Sequence, residues 1–82
     1  MVVPNDWQYE FAFDGGDLSC GDLILDLRNY ITPLTVGVTI LVTARDGGAV
    51  IDIPAWCWST GHSLLNKNHP FYLIRKNPKQ EE

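Results

Sequence analysis

The 82-residue sequence has few cysteines, few basic residues and no long apolar run. Its two cysteines are too few for a disulfide scaffold, and six basic residues against ten acids give a net charge of −4. That charge disfavours binding to nucleic acid, which requires a basic surface. The longest nearly continuous apolar stretch, Val36 to Ala44, is far shorter than the roughly 20 residues that cross a bilayer, so we expect no membrane association.

The remaining composition, 45% hydrophobic and 20% charged, is that of an ordinary soluble domain. We expect one domain over residues 1–82, with an ordered core at about 7–76 and a polar tail at 77–82. The start lacks the basic and apolar regions of a secretory signal, which predicts a cytoplasmic protein. Acids predominate before Arg28, whereas most bases lie near the end, at Lys67, Arg75, Lys76 and Lys79.

The first half of the sequence predicts a strand followed by a helix. Residues 7–13 alternate, which is the period of a half-buried strand, with one side formed by Trp7, Tyr9, Phe11 and Phe13. Ser19 and Asp22 form a capping-box-like pattern, and Pro33 cannot continue a helix, so we expect a helix over about 20–32.

The second half predicts a central strand over 38–44, a helix from Asp52 to Gly61, and a hairpin of 63–65 with 71–74. The fold class is therefore α/β (α+β), a two-layer βαβαββ sandwich with two helices on one face of a four-stranded mixed sheet. If the first two strands are parallel, the loops after them emerge at the same edge, which brings Cys20 and Asp46 together.

Cys20 is the candidate catalytic residue because it occupies the predicted first position of a helix. Unpaired backbone N–H groups and the helix dipole favour a thiolate there, with Ser19, Gly21 and Asp22 forming the supporting helix N-terminus. The negative charges of Asp17 and Asp22 oppose this effect, and a purely structural Cys20 is the alternative. Asp46 either orients a neighbour at this edge or serves the geometry of its turn.

Other polar and aromatic residues have less specific interpretations. Cys57 shares a face with apolar residues of the second helix, which predicts a buried thiol, and a disulfide with Cys20 is disfavoured. His62 and His69 lack partners at ligand spacing, so we predict no metal site. Trp58 points away from the predicted core, either as a partner contact or as an isolated surface residue.

Three segments of the sequence resemble the TusA/SirA-like sulfur carriers, and the likeness spans most of residues 9 to 76. They are residues 45–57, with Asp-Ile-Pro-Ala-Trp; residues 60–65, with Gly-His-Ser-Leu-Leu; and residues 72–76, Tyr-Leu-Ile-Arg-Lys. The family's Cys-Pro-x-Pro motif falls at Cys20, with Gly21 and Leu23 at the proline positions. A divergent subgroup with Cys-Gly in place of Cys-Pro is similar to this chain.

The resemblance implies a βαβαββ sandwich and a sulfurtransferase-type carrier that needs no cofactor. Cys20 would hold a persulfide from a protein donor, such as a cysteine desulfurase or rhodanese-like protein, and pass it to a protein acceptor. Trp58, Arg75 and Lys76, with Lys79, form the expected partner-binding rim. The alternative is a non-catalytic interaction module of the same fold, with nucleic-acid binding as a third hypothesis.

Overall fold

The computed structural model describes residues 3–78, apart from the side chain of Cys20. Its elements are β1 (Phe11–Asp14), α1 (Cys20–Ile31), β2 (Thr39–Thr43), α2 (Ala49–Thr60), β3 (Ser63–Asn68) and β4 (Phe71–Arg75). The strand order is β1-β2-β4-β3, with β1 parallel to β2 and β4 antiparallel to both of its neighbours. This confirms the predicted βαβαββ order, the mixed sheet and the central position of β2.

One side of the sheet packs against both helices and forms the main core. The apolar positions that recur along α1 at three- and four-residue spacing are buried, as are alternate residues of the two central strands. The main contributors are Leu23, Leu27, Ile31, Ile40, Val42, Ile53, Trp56, Cys57, Tyr72 and Ile74. The helical and strand periods read from the sequence therefore identify the correct faces.

The loop between β1 and α1 requires glycine at one position. The Gly15 amide donates to the Thr43 carbonyl oxygen at 2.9 Å, so the loop runs against the end of β2. A Cβ on Gly15 would lie 2.1 Å from Cδ1 of Leu23, which is fully buried. Glycine thus allows the start of α1 to approach the carboxyl end of β2.

The first strand is shorter than residues 7–13, and the prediction that Trp7 shares its inward side was wrong. The chain turns before the strand, where the Trp7 amide donates to the Pro4 carbonyl at 3.2 Å. Trp7 consequently packs on the sheet face opposite the helices, with Leu41, Phe71 and Leu73. Phe13 remains on the helix side, where its ring lies 5.2 Å from that of Tyr30.

The second helix begins at Ala49, three residues before the predicted start at Asp52. Asp46 provides the physical reason, because its Oδ1 accepts the Gly48 amide at 3.2 Å and its carbonyl accepts the Ala49 amide at 3.0 Å. Asp52 instead lies in the first helical turn. The predicted stop is confirmed, since Gly61 adopts a left-handed φ of 84°.

Candidate functional site

Three loops meet at the edge formed by the carboxyl ends of β1 and β2. Arg45 Nη1 lies 3.0 Å from Asp14 Oδ1, and this ion pair joins the loop after β2 to the last residue of β1. The Ala44 amide donates to the Pro70 carbonyl at 2.8 Å, which adds the β3–β4 turn. The backbone at the start of α1 and the Asp46 turn therefore lie at one edge of the sheet.

Cys20 is the first residue of α1, and Ser19 is the N-cap with φ −67° and ψ 160°. The side chain of Cys20 lies outside the described residues. Its neighbours Ser19, Gly21 and Asp22 are all exposed, and a Cβ at Gly21 would meet nothing within 4 Å. The main chain around Cys20 thus lies at the molecular surface.

The predicted capping box at this helix start does not form among the described residues. The Ser19 side chain makes no capping hydrogen bond there, although Asp22 lies in the first turn as expected. The Leu23 amide begins the helical series by donating to the Ser19 carbonyl at 2.8 Å. The Ser19 hydroxyl therefore does not occupy the first-turn amides, which are the groups that bind anions at helix starts.

Asp46 is half-buried and uses one carboxylate oxygen to accept the Gly48 amide. This bond fixes the turn that starts α2, which is the turn-geometry role considered from the sequence. On the opposite side of the same edge, the Gly16 amide donates to Asp14 Oδ1 at 2.8 Å. That bond and the Arg45 guanidinium lower the pKa of Asp14, so the carboxylate that joins the loops stays charged.

A groove of about 280 Å³ also opens at this edge, and no motif in the sequence predicts it. Its lining residues are Thr43, Arg45, His69, Pro70 and Phe71. His69 Nδ1 lies 2.6 Å from the hydroxyl of the buried Tyr72, which positions the ring. The strand register would have located the groove, because it pairs Phe71 with Thr43 and both residues line the groove.

Cys57 has the buried position predicted for it. Only 3% of its surface is exposed, and desolvation raises the pKa of its thiol to about 12. Its thiol is free. Cys57 is therefore unsuited to nucleophilic chemistry in the folded protein.

Trp58 and Arg75 lie toward the other end of the sheet from Cys20. Because β4 is antiparallel to β2 and Arg75 pairs with Thr39, Arg75 lies at the amino end of β2. Five strand residues separate the two edges by roughly 15 Å. Trp58 is 89% exposed, which confirms its predicted orientation away from the core. Lys79, the last member of the predicted rim, lies outside the described residues.

Lys76 has an internal role that its place in the sequence did not reveal. Its Nζ donates to the Thr32 carbonyl at 2.7 Å and to the Leu34 carbonyl. These oxygens follow the last turn of α1, where helix carbonyls lack partners and a positive charge is favourable. The Lys76 ammonium thus closes the end of α1 and is already engaged within the domain.

Asn77, which the sequence assigned to a polar tail, is also held by the domain. Its amide donates to His62 Nδ1 at 3.1 Å, and its side-chain Nδ2 donates to the Gly61 carbonyl at 2.9 Å. Burial and the Lys76 charge lower the pKa of His62, which favours the neutral ring that this bond requires. The chain beyond β4 is therefore anchored through Asn77.

Replacing Lys76 by methionine is expected to destabilise the domain by about 1 to 2 kcal/mol, because the carbonyls of Thr32, at the end of α1, and of Leu34, just after it, lose a charged donor. Urea denaturation followed by circular dichroism measures the change. Lys67→Met, on the exposed surface of β3, is the matched control and should change stability by less than about 0.5 kcal/mol. Equal stabilities of the two variants would contradict the capping role.

Among residues 3–78, neither helix is both long and apolar enough to span a membrane. Within the same part of the chain, no group of three or more His, Cys, Asp or Glu residues is arranged to hold a metal ion.

No family model matches the chain, but many curated proteins do, among them two sulfur carriers. It is 29% identical over 72 residues to the sulfur carrier protein TusA of Pseudomonas entomophila (strain L48), covering 83% of this chain and 90% of that protein. It is 28% identical over 81 residues to TusA of Pseudomonas fluorescens (strain SBW25), covering 94% of this chain and 98% of the relative. These similarities support a TusA-like family for this chain. The second TusA match is long enough to include both helices and all four strands.

Proposed function

We propose that the chain is a sulfur carrier in which Cys20 receives sulfur from a protein donor and relays it to a protein acceptor. The donor is a cysteine desulfurase or a rhodanese-like protein, and the carrier works in the cytoplasm. The observation that carries the proposal is the similarity to two TusA sulfur carriers over most of the chain. Within that family we assign the chain to the subgroup with Cys-Gly at the start of the first helix.

The proposed chemistry is an exchange between a thiolate and a persulfide. The Cys20 thiolate attacks the outer sulfur of the donor persulfide, so a new S–S bond forms at Cys20 while the donor S–S bond breaks. The donor cysteine leaves as a thiolate, and the outer sulfur is now bound to Cys20. An acceptor thiolate then attacks the same outer sulfur and releases Cys20. Neither step requires a metal or an organic cofactor.

The start of α1 offers the physical conditions for this exchange. Helix N-termini favour a negative charge, and the residues on both sides of Cys20 are exposed to solvent. Gly21 supplies a backbone N–H that a proline at the same position would lack. Asp22 is an exposed acid in the first turn and partly opposes the anion, so the helix start favours reactivity without making the thiol strongly acidic.

The test is to incubate the reduced protein with a cysteine desulfurase and free cysteine and then to measure its mass. The wild type and Cys57→Ala should each gain a sulfur atom, whereas Cys20→Ser should gain none. The wild type incubated without free cysteine is the blank. A gain that persists in Cys20→Ser and disappears in Cys57→Ala, or no gain in the wild type, would overturn the proposal.

A further inference from the structure

The outer face of α2 carries apolar side chains that the rest of the described structure leaves exposed. Ile51 is 74% exposed and Trp58 is 89% exposed, and Ala55 between them also faces solvent. Residues spaced by four and three lie on one face of a helix, so the three form a continuous stripe. We name Ile51, Ala55 and Trp58 the α2 stripe.

The observed start of α2 is what makes this stripe apparent. With a helix beginning at Asp52, Ile51 would precede it and Trp58 would be an isolated surface aromatic. Because α2 begins at Ala49, Ile51 lies in the first turn, two turns before Trp58 and on the same face. The stripe therefore spans about 10 Å along the helix axis.

The α2 stripe begins at the edge where Cys20 lies and runs away from it. Both helices follow the parallel strands β1 and β2, so the first turn of α2 and the first turn of α1 share that edge. Trp58 lies at the far end of the stripe. A partner that covers the stripe from Trp58 to Ile51 thus extends to the edge that contains the Cys20 backbone.

The exposed charges of the two helices are predominantly negative, and Asp52 follows Ile51 of the stripe directly. Asp22 and Asp26 of α1 and Asp52 of α2 are exposed, and none forms a salt bridge with another described residue. Arg28, near the end of α1, is the exposed base on these helices. A second copy of this chain would bring acids against acids, whereas a basic surface would complement them.

We infer that the α2 stripe is the docking surface for the sulfur donor, and that the donor presents an apolar groove bordered by lysine and arginine. The inference rests on the proposed function and adds to it the place and chemistry of recognition. Exposed tryptophan is a frequent energetic centre of protein interfaces, and exposed acids on the two helices accelerate association with a basic partner.

The test measures binding and loading separately. Binding of each candidate donor, a cysteine desulfurase and a rhodanese-like protein, is followed by titration calorimetry at low and at moderate salt. Loading of Cys20 is followed by mass after incubation with inorganic polysulfide, which needs no docking surface. The stripe variants are Ile51→Ser and Trp58→Ser, and the matched controls are Val36→Ser and Leu65→Ser, which are exposed apolar residues outside the helices.

With at least one donor, each stripe variant should bind about tenfold more weakly or worse, and the controls should bind like the wild type. Asp52→Lys should also weaken binding and reduce its dependence on salt. Polysulfide loading should be the same in every variant. Donor binding that is unchanged in both stripe variants, or absent in the wild type, would overturn the docking inference even if polysulfide still loads Cys20.

Two further outcomes separate the hypotheses. If stripe variants lose donor binding but polysulfide never loads Cys20, the docking inference stands and the proposed sulfur chemistry fails. If sedimentation shows that the wild type self-associates through Trp58 and binds neither donor, the occupant is a second copy and the inference is wrong.

Discussion

A Cys20→Ser variant is expected to react with iodoacetamide at neutral pH at least about a thousandfold more slowly than free cysteine. Its remaining thiol, Cys57, is 3% exposed and has a pKa of about 12. The raised pKa alone lowers the thiolate fraction by about three powers of ten relative to an ordinary cysteine. Burial then limits access of the reagent further. The rate is measured by mass spectrometry in buffer and in urea, where unfolding should restore rapid reaction.

The reciprocal variant, Cys57→Ala, isolates Cys20 and distinguishes a carrier from an interaction module. A carrier thiol has to be reached by another protein, so Cys20 should react at least as fast as free cysteine across pH 6 to 8. If Cys20 reacts as slowly as a buried thiol, the non-catalytic module of the same fold is favoured. Rapid reaction of folded Cys20→Ser would contradict the burial of Cys57.

Much of the fold is predictable because its elements have clear local signals. The spacing of Leu23, Leu27 and Ile31 marks one face of α1, and Pro33 limits its length. Gly61 ends α2 by adopting a left-handed conformation that other residues rarely take. The β-branched run over Thr39–Thr43 is typical of a central strand, and β2 lies between β1 and β4.

The errors arise where two local signals compete or where tertiary contacts decide. Asp46 and Asp52 are both good residues for starting a helix, and the glycine amide bound by Asp46 selects the earlier start. Lys76 contacts a carbonyl 44 residues away, at Thr32, which no local pattern can reveal. Its basic neighbours in sequence suggested a binding rim instead.

The candidate site also has one part that local sequence patterns predict and another part that only tertiary contacts determine. The backbone position of Cys20 at the start of a helix follows from the local pattern around Ser19 and Pro33. The groove and the Asp14–Arg45 ion pair depend on the register of three strands, which the sequence alone does not specify. Distances between surface residues, such as that between Trp58 and Cys20, likewise require the topology.

Replacing Trp7 by alanine is expected to lower the free energy of unfolding by about 3 to 5 kcal/mol. Trp7 is 9% exposed and packs on the sheet face that the helices leave uncovered, against Leu41, Phe71 and Leu73. Its loss leaves those three side chains with much less cover. Because a domain of this size is stabilised by only about 5 to 10 kcal/mol, the melting temperature should fall by more than about 10 °C.

Trp58→Ala is the matched control, because it removes the same side chain from a site that is 89% exposed. It should change stability by less than about 0.5 kcal/mol. Denaturation of both variants by urea, followed by circular dichroism, measures the contrast, and light scattering shows whether the uncovered face of Trp7→Ala drives self-association. Equal stabilities would mean that the segment before β1 contributes little to the fold. A large difference would show that this small domain is stabilised on both faces of its sheet, by helices on one side and by Trp7 on the other.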